Sequence, residues 1–549
     1  MKRKLLPLII IFGLIIFALA VIFGTGLIER YTPSKEMADK NELFHAKDDQ
    51  IALVLNKELQ EAQGISVEGT TYLPISWVNE KLNSRFFWDS VERLLVYALP
   101  DHIVYANEFS MGGDGKPLLY IKGEEVYLSL GLVLGYTDIR ISAYDQGTVK
   151  RLFIDSSWEP ESVATVKSKT KVRTAGGIKS PVVTTAYRNS KVRIIQEEER
   201  WSKVVTEDGY IGYIRKWSLR EPYMEAQESD FQAPVYEGTS LGEKVVLVWH
   251  QVTKQEANQG LEALIARTKG VNVVSPTWYA MADNEGNYTS LASREYVDKA
   301  HSMGLQVWAL IDNFSKNVQS DQLLTSTTKR KKLIASLMNE VETYNLDGLN
   351  LDFEGIPEAA GAPYVQFIRE LSIECRKKGI ILSVDNTVPM EFNLFYNRKE
   401  QGIVADYVII MGYDEHYSGG EPGSVASIEF VENGIVDTLK DVPKEKVINA
   451  VPFYTRLWKE GADGQSSSAL GIAKARDWLD QNQVELYWQE AIGQYYGELV
   501  TDEERQFLWM EEERSLGLKM DLIKKYDLAG VGCWKLGLET ESVWDVISK

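Results

Sequence analysis

The sequence predicts an α/β fold, a TIM-type (β/α)8 barrel over residues 243–549, and two observations support this prediction. From residue 243 onward, apolar segments of strand length alternate with amphipathic helical segments such as 293–303, 321–344 and 363–378, which is the pattern of a parallel sheet with helical crossovers. Eight strands can be counted, and eight strands close a barrel of this kind. The predicted strands are 244–252, 271–281, 304–313, 347–354, 380–387, 406–413, 446–454 and 528–536.

The chain of 549 residues is too long for one hydrophobic core, so the barrel should be preceded by other domains. A net charge of −19 argues against a nucleic-acid partner, because phosphate binding needs a basic surface. The two cysteines, Cys375 and Cys533, provide neither a disulfide framework nor a set of metal ligands. We expect buried thiols, with a single bridge as the alternative, and neither a metal nor a cofactor.

Residues 1–28 begin with three basic residues at positions 2–4 and continue as a long apolar run. The run is long enough to span a bilayer and longer than the core of a signal peptide. Because the basic start keeps the N-terminus in the cytoplasm, we expect a single-pass transmembrane anchor with the rest of the chain on the wall side of the cell membrane. Cleavage and secretion are the alternative. Residues 29–49 are polar and are interpreted as a tether.

Residues 50–158 contain two similar units of about fifty residues. Each unit joins a hairpin-like segment, 65–74 or 118–128, to a short helical segment, 75–82 or 130–134. The repeat resembles the small α+β module first named from the N-terminal domain of copper amine oxidases. The resemblance implies a spacer or wall-contact unit and no copper site, since His and Cys do not cluster here.

Residues 160–221 have the pattern of five or six short strands, with Asp208-Gly209 as a hairpin turn. The pattern resembles bacterial Src-homology-3-like domains, in which Trp201, Tyr210 and Tyr213 would line a small all-β barrel. The resemblance implies binding of cell-wall peptides or glycans, with a spacer role as the equal alternative. The Pro- and Gly-containing segment 222–242 is predicted to be a linker.

Within the predicted barrel, residues 349–354 alternate strictly between apolar and polar side chains. Asn350, Asp352 and Glu354 therefore share one face of the fourth strand. A buried polar row is costly unless it has a function. Carboxylates two residues apart on a strand have Cα atoms about 6.6 Å apart, so one of the two pKa values should be raised. Glu354, at the carboxyl end of the strand, is the candidate general acid.

The other strand ends carry aromatic, amide and charged side chains. Such side chains suit a sugar ring, which has apolar faces and a rim of hydroxyl groups. They are Trp278, Tyr279, Asp312, Asn313, Asp385, Asn386, Tyr413, Asp414, Tyr454, Arg456 and Trp534.

The fourth strand resembles the D-G-x-D-x-D-x-E signature of glycoside hydrolase family 18. Asp347, Gly348, Asp352 and Glu354 match the signature, and Asn350 stands where the family usually has Asp. The segment 411–414, Met-Gly-Tyr-Asp, and Trp534 match two further family elements. The branch of spore-germination and cortex-lytic hydrolases is similar over residues 275–279, 411–416, 452–458, 509–519 and 532–537.

This resemblance implies a substrate-assisted, retaining mechanism, in which the 2-acetamido group of the sugar is the nucleophile. Glu354 would be the acid, Asp352 would orient the acetamido N–H and Tyr413 would hold its carbonyl oxygen. Asn350 can still donate a hydrogen bond to Asp352 but carries no charge, so we expect activity to persist with an altered acid limb of the pH profile. The residues expected to bind substrate are Asn350, Asp347, Asp414, Trp534, Tyr454, Arg456 and Trp278.

Together these features predict a membrane-anchored, outward-facing glycosidase whose partner is an N-acetylated polysaccharide. Peptidoglycan is the expected substrate, cleaved at β-1,4 bonds of N-acetylglucosamine. One alternative is a chitinase or endo-N-acetylglucosaminidase that acts on chitin-like or glycoprotein glycans. The other is a catalytically weak glycan-binding scaffold, against which the presence of Glu354 weighs.

Overall fold

The computed structural model describes residues 5–47, 49–462 and 464–549. Contacts divide the chain into two compact units. One comprises Met1–Phe86 and Ala106–Ala233, and the other comprises Phe87–Tyr105 and Pro234–Lys549. The second unit carries the candidate site.

The second unit is built around a closed barrel of parallel strands. Each strand pairs with its neighbour along the chain, and the first strand also pairs with the last, which closes the sheet. All eight predicted strands are confirmed, with ends within a few residues of the prediction. The strands are β1 (Val245–His250), β2 (Val273–Met281), β3 (Gln306–Asp312), β4 (Gly348–Asp352), β5 (Ile381–Thr387), β6 (Tyr407–Met411), β7 (Val447–Pro452) and β8 (Gly530–Trp534).

Amphipathic helices alternate with these strands and bury their apolar faces in the same core. At the start of β4, Gly348 is required by packing, since a Cβ atom there would lie 2.7 Å from the Trp308 ring. The two cysteines lie buried as free thiols, as expected. The α-helices of the barrel are Leu261–Ile265, Arg294–Ser302, Ser320–Leu324, Thr327–Tyr344, Gly361–Lys378, Arg398–Val404, Ile428–Thr438, Glu513–Lys525 and Trp544–Ile547.

An α+β insertion separates β7 from β8, where the sequence analysis identified no separate element. It contains one helix, Ile472–Gln481, and a five-stranded antiparallel sheet. Its strands are Tyr454–Gly461, Gly464–Gly471, Leu486–Gln489, Gln494–Val500 and Glu504–Met510.

A three-stranded sheet is formed by Phe87–Asp89, Leu94–Ala98 and Ile103–Ala106, and its residues up to Tyr105 belong to this unit. Asp89 Oδ2 accepts hydrogen bonds from the backbone N–H and the hydroxyl of Thr327, both at 2.6 Å. These contacts satisfy donors at the start of helix Thr327–Tyr344, where the helix dipole favours negative charge. The segment 87–105 is therefore part of the barrel unit, whereas the sequence analysis placed it in the α+β module.

The first unit holds two seven-stranded sheets and the helices Lys40–Phe44, Ile75–Lys81 and Leu130–Tyr136. The first sheet has the order Leu119–Lys122, Glu125–Ser129, Thr70–Pro74, Glu58–Val67, Gln50–Leu55, Lys150–Asp155 and Arg140–Tyr144. The second has the order Val182–Ala186, Thr170–Arg173, Ile211–Arg215, Trp201–Thr206, Lys191–Glu197, Glu161–Thr165 and Tyr223–Glu225.

The core of the second sheet is aliphatic rather than aromatic. Ala164, Val172 and Val204 belong to it, whereas the three aromatic residues predicted to line it do not. Tyr210, one of these three, instead packs against Phe44, in the segment interpreted as a tether. Backbone contacts also join this segment to the module, because the N–H of Ala38 donates to the carbonyl of Val182.

The N-terminal apolar run lies in helix Leu5–Tyr31. The basic residues at positions 2–4 lie outside the described residues. The predicted transmembrane anchor is not supported, since no helix in the described part of the chain combines the length and apolar character of a membrane span.

Candidate active site

A pocket of about 170 Å³ opens at the carboxyl ends of the barrel strands, where active sites of this fold lie. We call it the strand-end pocket. A larger cavity of about 460 Å³ lies beside helices Thr327–Tyr344 and Gly361–Lys378, away from the strand ends. The strand-end pocket is lined by Trp249, Phe314, Asp352, Glu354, Asp385, Thr387, Met411, Tyr413, Asp414 and Trp534.

Three aspartates form a row across neighbouring strands at this pocket. Asp312 on β3 is in register with Asp352 on β4. Leu351 is in register with Val384 on β5, so Asp352 comes next to Asp385. Neighbouring strands lie about 4.8 Å apart, which brings the carboxyl groups of Asp352 and Asp385 together inside the pocket.

Asn350 precedes Asp352 by two residues on β4, so its side chain points to the same face of the strand. It is fully buried. Its side-chain carbonyl accepts hydrogen bonds from Trp249 Nε1 at 2.8 Å and from Ser275 Oγ at 3.2 Å. Its amide donates to Ser383 Oγ at 3.0 Å and to Asp385 Oδ1 at 2.7 Å. The sequence-based prediction that Asn350 donates to Asp352 and binds substrate is therefore wrong, because burial and four hydrogen bonds hold the amide toward β1, β2 and β5.

The buried carboxyl groups of the pocket favour their neutral forms. Burial raises the pKa of Asp352 well above its ordinary value, and the charges of Asp385, Glu354 and Asp312 act in the same direction. Burial also raises the pKa of Asp385 to about 8, although the hydrogen bond from Asn350 opposes this shift. The pKa of Glu354 is raised by partial desolvation, then by the charges of Asp414 and Asp312.

Asn313, at the end of β3, fixes the backbone of Glu354 by two hydrogen bonds. The Glu354 N–H donates to Asn313 Oδ1 at 2.9 Å, and Asn313 Nδ2 donates to the Glu354 carbonyl at 2.8 Å. Asn313 Nδ2 also lies 3.1 Å from Ser320 Oγ. The paired bonds fix the Glu354 backbone at the pocket mouth, where the residue is partly exposed to solvent.

Two polar side chains hold Asp414, which follows β6, in place. Tyr454 donates its hydroxyl to Asp414 Oδ1 at 2.5 Å, and Arg456 Nη2 lies 4.0 Å from the same oxygen. Asp414 has φ of +57°, which orients its carboxyl group differently from an extended residue. Tyr454 and Arg456 were predicted to bind substrate, but they are not among the residues that line the pocket. They instead position Asp414, which does line it.

The family model for glycosyl hydrolases family 18 matches residues 245–539, which is more than half of the chain and covers every strand of the barrel. The chain belongs to glycoside hydrolase family 18. It is therefore a glycoside hydrolase. A second model, for the bacterial SH3 domain, matches residues 168–220 and confirms the predicted Src-homology-3-like domain.

Two relatives from Bacillus subtilis illustrate the similarity. The "Uncharacterized glycosylase YvbX" is 26% identical over 294 residues, which are 51% of this chain and 84% of that protein. The "Cortical fragment-lytic enzyme" is 26% identical over 260 residues, which are 45% of this chain but 60% of that protein. The match to this second relative thus spans less than two thirds of its length.

Solved structures of the family share the fold of the barrel. The spore cortex-lytic enzyme SleL of Bacillus cereus aligns with a TM-score of 0.51 at 19% identity, over 59% of this chain and 78% of that chain. A chitinase from Chromobacterium violaceum aligns with a TM-score of 0.50 at 21% identity, over 55% of this chain and 98% of that chain.

Two residues predicted to bind substrate lie away from the site of this family 18 enzyme. Asp347 precedes β4, at the amino end of the barrel, where its carboxylate accepts a hydrogen bond from the Val307 N–H and lies 2.7 Å from His301 Nε2. Trp278 is only 1% exposed, and its Nε1 donates to Asn258 Oδ1 at 2.8 Å. Both predictions are corrected, because these side chains are committed to structural contacts.

The apolar floor of the family 18 pocket is formed by two tryptophans, only one of which the sequence analysis named. The rings of Trp249 and Trp534 meet edge to face with centroids 5.8 Å apart. A Cβ atom at Gly532 would lie 2.9 Å from the Trp249 ring, so this glycine makes room for the indole.

Four further lining residues were not named as site residues. Phe314, which is 55% exposed, directly follows Asp312 and Asn313, the two residues predicted at the end of the third strand. Thr387 and Met411 end β5 and β6, and Asp385 was noted only as a strand-end residue. Their position at strand ends was the available signal, but the inward direction of each side chain required the barrel geometry.

The raised pKa of Asp385 predicts how stability depends on pH. The folded state retains a proton up to about pH 8, whereas an unfolded aspartate releases it near pH 3.8. The stabilisation from this group is therefore complete below about pH 4 and is lost as pH rises toward 8. We expect Asp385→Asn to raise the unfolding temperature relative to wild type at pH 8 and to leave it unchanged at pH 4, as measured by calorimetry. The exposed Asp477 provides a control, since Asp477→Asn should produce no such pH-dependent difference.

Proposed function

We propose that this enzyme hydrolyses β-1,4 bonds of N-acetylglucosamine-containing glycan, with peptidoglycan as the substrate, by a substrate-assisted retaining mechanism. The observation that supports it is the arrangement of Glu354 and Asp352. Glu354 sits at the pocket mouth with a raised pKa, and Asp352 lies two residues behind it on the same strand, buried and favouring its neutral form. A protein nucleophile would instead flank the scissile bond on the side opposite the acid, about 5–5.5 Å from it, rather than follow it on the same strand.

In the proposed reaction, Glu354 protonates the glycosidic oxygen as the bond to the leaving sugar breaks. The carbonyl oxygen of the 2-acetamido group attacks the anomeric carbon from the opposite face and forms a cyclic intermediate. Glu354, now ionised, removes a proton from the water that opens this intermediate, which restores the acid and retains the configuration. Asp352 accepts the acetamido N–H, and the Tyr413 hydroxyl donates to the acetamido carbonyl.

The remaining lining residues would hold the sugar in position. Trp534 and Trp249 offer an apolar surface to one face of the ring, and Asp414 accepts hydrogen bonds from its hydroxyl groups. The acetamido group is the feature that the mechanism requires of any substrate. This requirement restricts the substrate to N-acetylated glycans.

Peptidoglycan is favoured among these glycans by two observations. The same chain carries a bacterial SH3 domain, and the sequence is similar to a cortical fragment-lytic enzyme. Chitin-like oligomers and glycoprotein glycans contain the same acetamido group and are the second candidate, supported by the fold shared with a chitinase. The scaffold alternative is disfavoured, because the general acid is present and fixed by Asn313.

The test is digestion of purified peptidoglycan and, in parallel, of chitin oligomers by the full chain, with mass spectrometry of the products. New reducing ends at N-acetylglucosamine from peptidoglycan, absent with the Glu354→Gln variant, would support the proposal. Products from chitin alone would favour the second candidate. No product from either glycan would contradict the proposed hydrolysis.

We expect Trp534→Ala to weaken substrate binding. Loss of one aromatic face should raise KM for a soluble N-acetylglucosamine oligomer about 10-fold or more, with a smaller change in kcat. The control is Trp217→Ala in the SH3-like domain, because Trp217 is 70% exposed and lies outside the strand-end pocket. An unchanged KM in Trp534→Ala would remove this residue from the proposed sugar site.

We also propose that the enzyme acts on the wall side of the cell membrane. This proposal is supported by the sequence of residues 1–28, with its basic start and long apolar run. Protease added to intact cells that produce the full chain should degrade the barrel. Protection of the barrel until the cells are lysed would contradict this location.

A further inference from the structure

Asp352 and Asp385 are two buried carboxyl groups on adjacent strands. Asp352 is 5% exposed and Asp385 is 2% exposed. The register of β4 and β5 makes them neighbours, and both line the strand-end pocket. Two carboxylates this close in a site of low polarity cannot both be ionised without a large electrostatic cost.

The hydrogen bonds around the pair distinguish its two members. Asp352 Oδ1 is buried and has no hydrogen-bond partner among the described residues. Asp385 Oδ1 accepts from Asn350 Nδ2 at 2.7 Å, and Asn350 is itself held by Trp249, Ser275 and Ser383. This bond orients Asp385, and no hydrogen bond from a described residue to its second oxygen is found.

We propose that Asp352 and Asp385 share one proton, and that Asp385 is the positioning residue that takes this proton when Asp352 binds the acetamido group. The proposal rests on the proposed function and deepens it. The raised pKa values of both groups agree with a shared proton, because each is raised by burial and that of Asp352 also by the charge of Asp385.

The proton balance is simple because no proton leaves the pair. At rest, one proton lies between the two carboxyl groups. When Asp352 accepts the acetamido N–H, the proton resides on Asp385, and Asp352 is the ionised member. Its negative charge then lies beside the positive charge that develops on the cyclic intermediate. After hydrolysis the proton returns to its shared position.

Other titratable groups face the pair from each surrounding element. These groups are Asp312 on β3, Glu354 after β4, Tyr413 and Asp414 after β6, Tyr364 on helix Gly361–Lys378, and Tyr396, which precedes helix Arg398–Val404. Asp312 is the competing candidate, since it flanks Asp352 on the other side. Burial raises the pKa of Asp312, although the hydrogen bond from the Phe314 N–H to its Oδ1 at 3.0 Å opposes this shift. Unlike Asp352 and Asp385, Asp312 is not among the residues that line the strand-end pocket.

The first arm of the test compares Asp385→Asn with Asp312→Asn, a chemically identical change on the other side of Asp352. Activity is measured against pH with a soluble N-acetylglucosamine oligomer that carries a chromogenic leaving group. We expect Asp385→Asn to lower kcat about 100-fold and to move the acid limb of the profile to higher pH. The direction follows because an amide cannot share a proton with Asp352 and stabilises its ionised form less than a protonated carboxyl group does. Asp312→Asn should not move the acid limb to higher pH, because the charge of Asp312 raises the pKa of Asp352 and its removal acts in the opposite direction.

The second arm uses the double variant Asn350→Asp with Asp385→Asn, which removes the carboxyl group from β5 and introduces one on β4. This variant should recover at least 10-fold of the lost kcat, because positions 350 and 352 share a face. Recovery would separate proton sharing from a purely structural role of Asp385. A shift of the acid limb to higher pH in Asp312→Asn and not in Asp385→Asn would overturn the proposal.

The third arm does not depend on activity. Infrared spectra of the full chain near pH 7 should contain a band of a protonated carboxyl group that both Asp352→Asn and Asp385→Asn alter. If the wild type hydrolyses no N-acetylglucosamine oligomer, the proposed function fails, and this arm alone decides whether the proton is shared. A band that is altered by Asp352→Asn but unaffected by Asp385→Asn would overturn the inference.

Discussion

Replacement of Glu354 with Gln is expected to reduce hydrolysis by about 10³-fold, the largest effect on activity of any single change that we predict. The amide cannot donate a proton to the glycosidic oxygen, although it has nearly the same shape. The measurement is kcat for a soluble N-acetylglucosamine oligomer. Because the pKa of Glu354 is raised, wild-type activity should fall on the basic side only above the ordinary range of a glutamate.

Glu358→Gln is the matched control for this variant. Glu358 lies four residues further along the chain and is exposed, and it does not line the strand-end pocket. Its replacement should leave kcat unchanged. If Glu354→Gln kept most of the wild-type rate, the general acid would have to be another group.

Arg330→Ala is expected to destabilise the barrel unit by about 3–5 kcal/mol, the largest predicted effect on stability. The Arg330 side chain is 0% exposed and bonds to both carboxylate oxygens of Glu370, with the shortest distance 2.8 Å. Its removal would leave the charge of Glu370 buried without its partner. The urea concentration that halves enzymatic activity reports the stability of this unit.

Two further variants test the physical cause. The double variant Arg330→Met with Glu370→Leu should lose less stability than Arg330→Ala, because it leaves no buried charge. Lys440→Ala breaks the exposed Lys440–Asp437 pair and should produce no measurable change. Equal losses in the single and double variants would indicate that packing, rather than charge, determines the effect.

The sequence predicted the barrel well because its signal is local. Each core strand is a short apolar run between helical segments, and eight such runs were found at the observed positions. The alternation at residues 349–354 also placed Asp352 and Glu354 correctly, since the side-chain period of a strand follows from its backbone alone.

The parts of the site that depend on pairing between distant strands were not predictable. The bond between Asn350 and Asp385 joins residues 35 positions apart and depends on the register of β4 and β5. Trp278 and Asp347 were misplaced because residue type and motif position do not reveal which way a side chain points or which end of the barrel it occupies.

The segment 87–105 was placed with its sequence neighbours, although its contacts are with the barrel. Nothing in its own residues marks Asp89 and Glu92 as partners of a helix more than two hundred residues away. Glu92 accepts a hydrogen bond from the Thr328 N–H at 2.7 Å, and Asp89 contacts Thr327. Such long-range capping becomes visible only in three dimensions.

This capping has a consequence for how the gene can change over evolution. Recombination that joined residues 234–549 to a new N-terminal domain would discard the two carboxylates and leave the start of helix Thr327–Tyr344 without them. That helix leads directly into the strand that carries Asp352. Descendants of this chain should therefore inherit the segment 87–105 together with the barrel, and lineages that lost it should carry other acceptors for the N–H groups of Thr327 and Thr328.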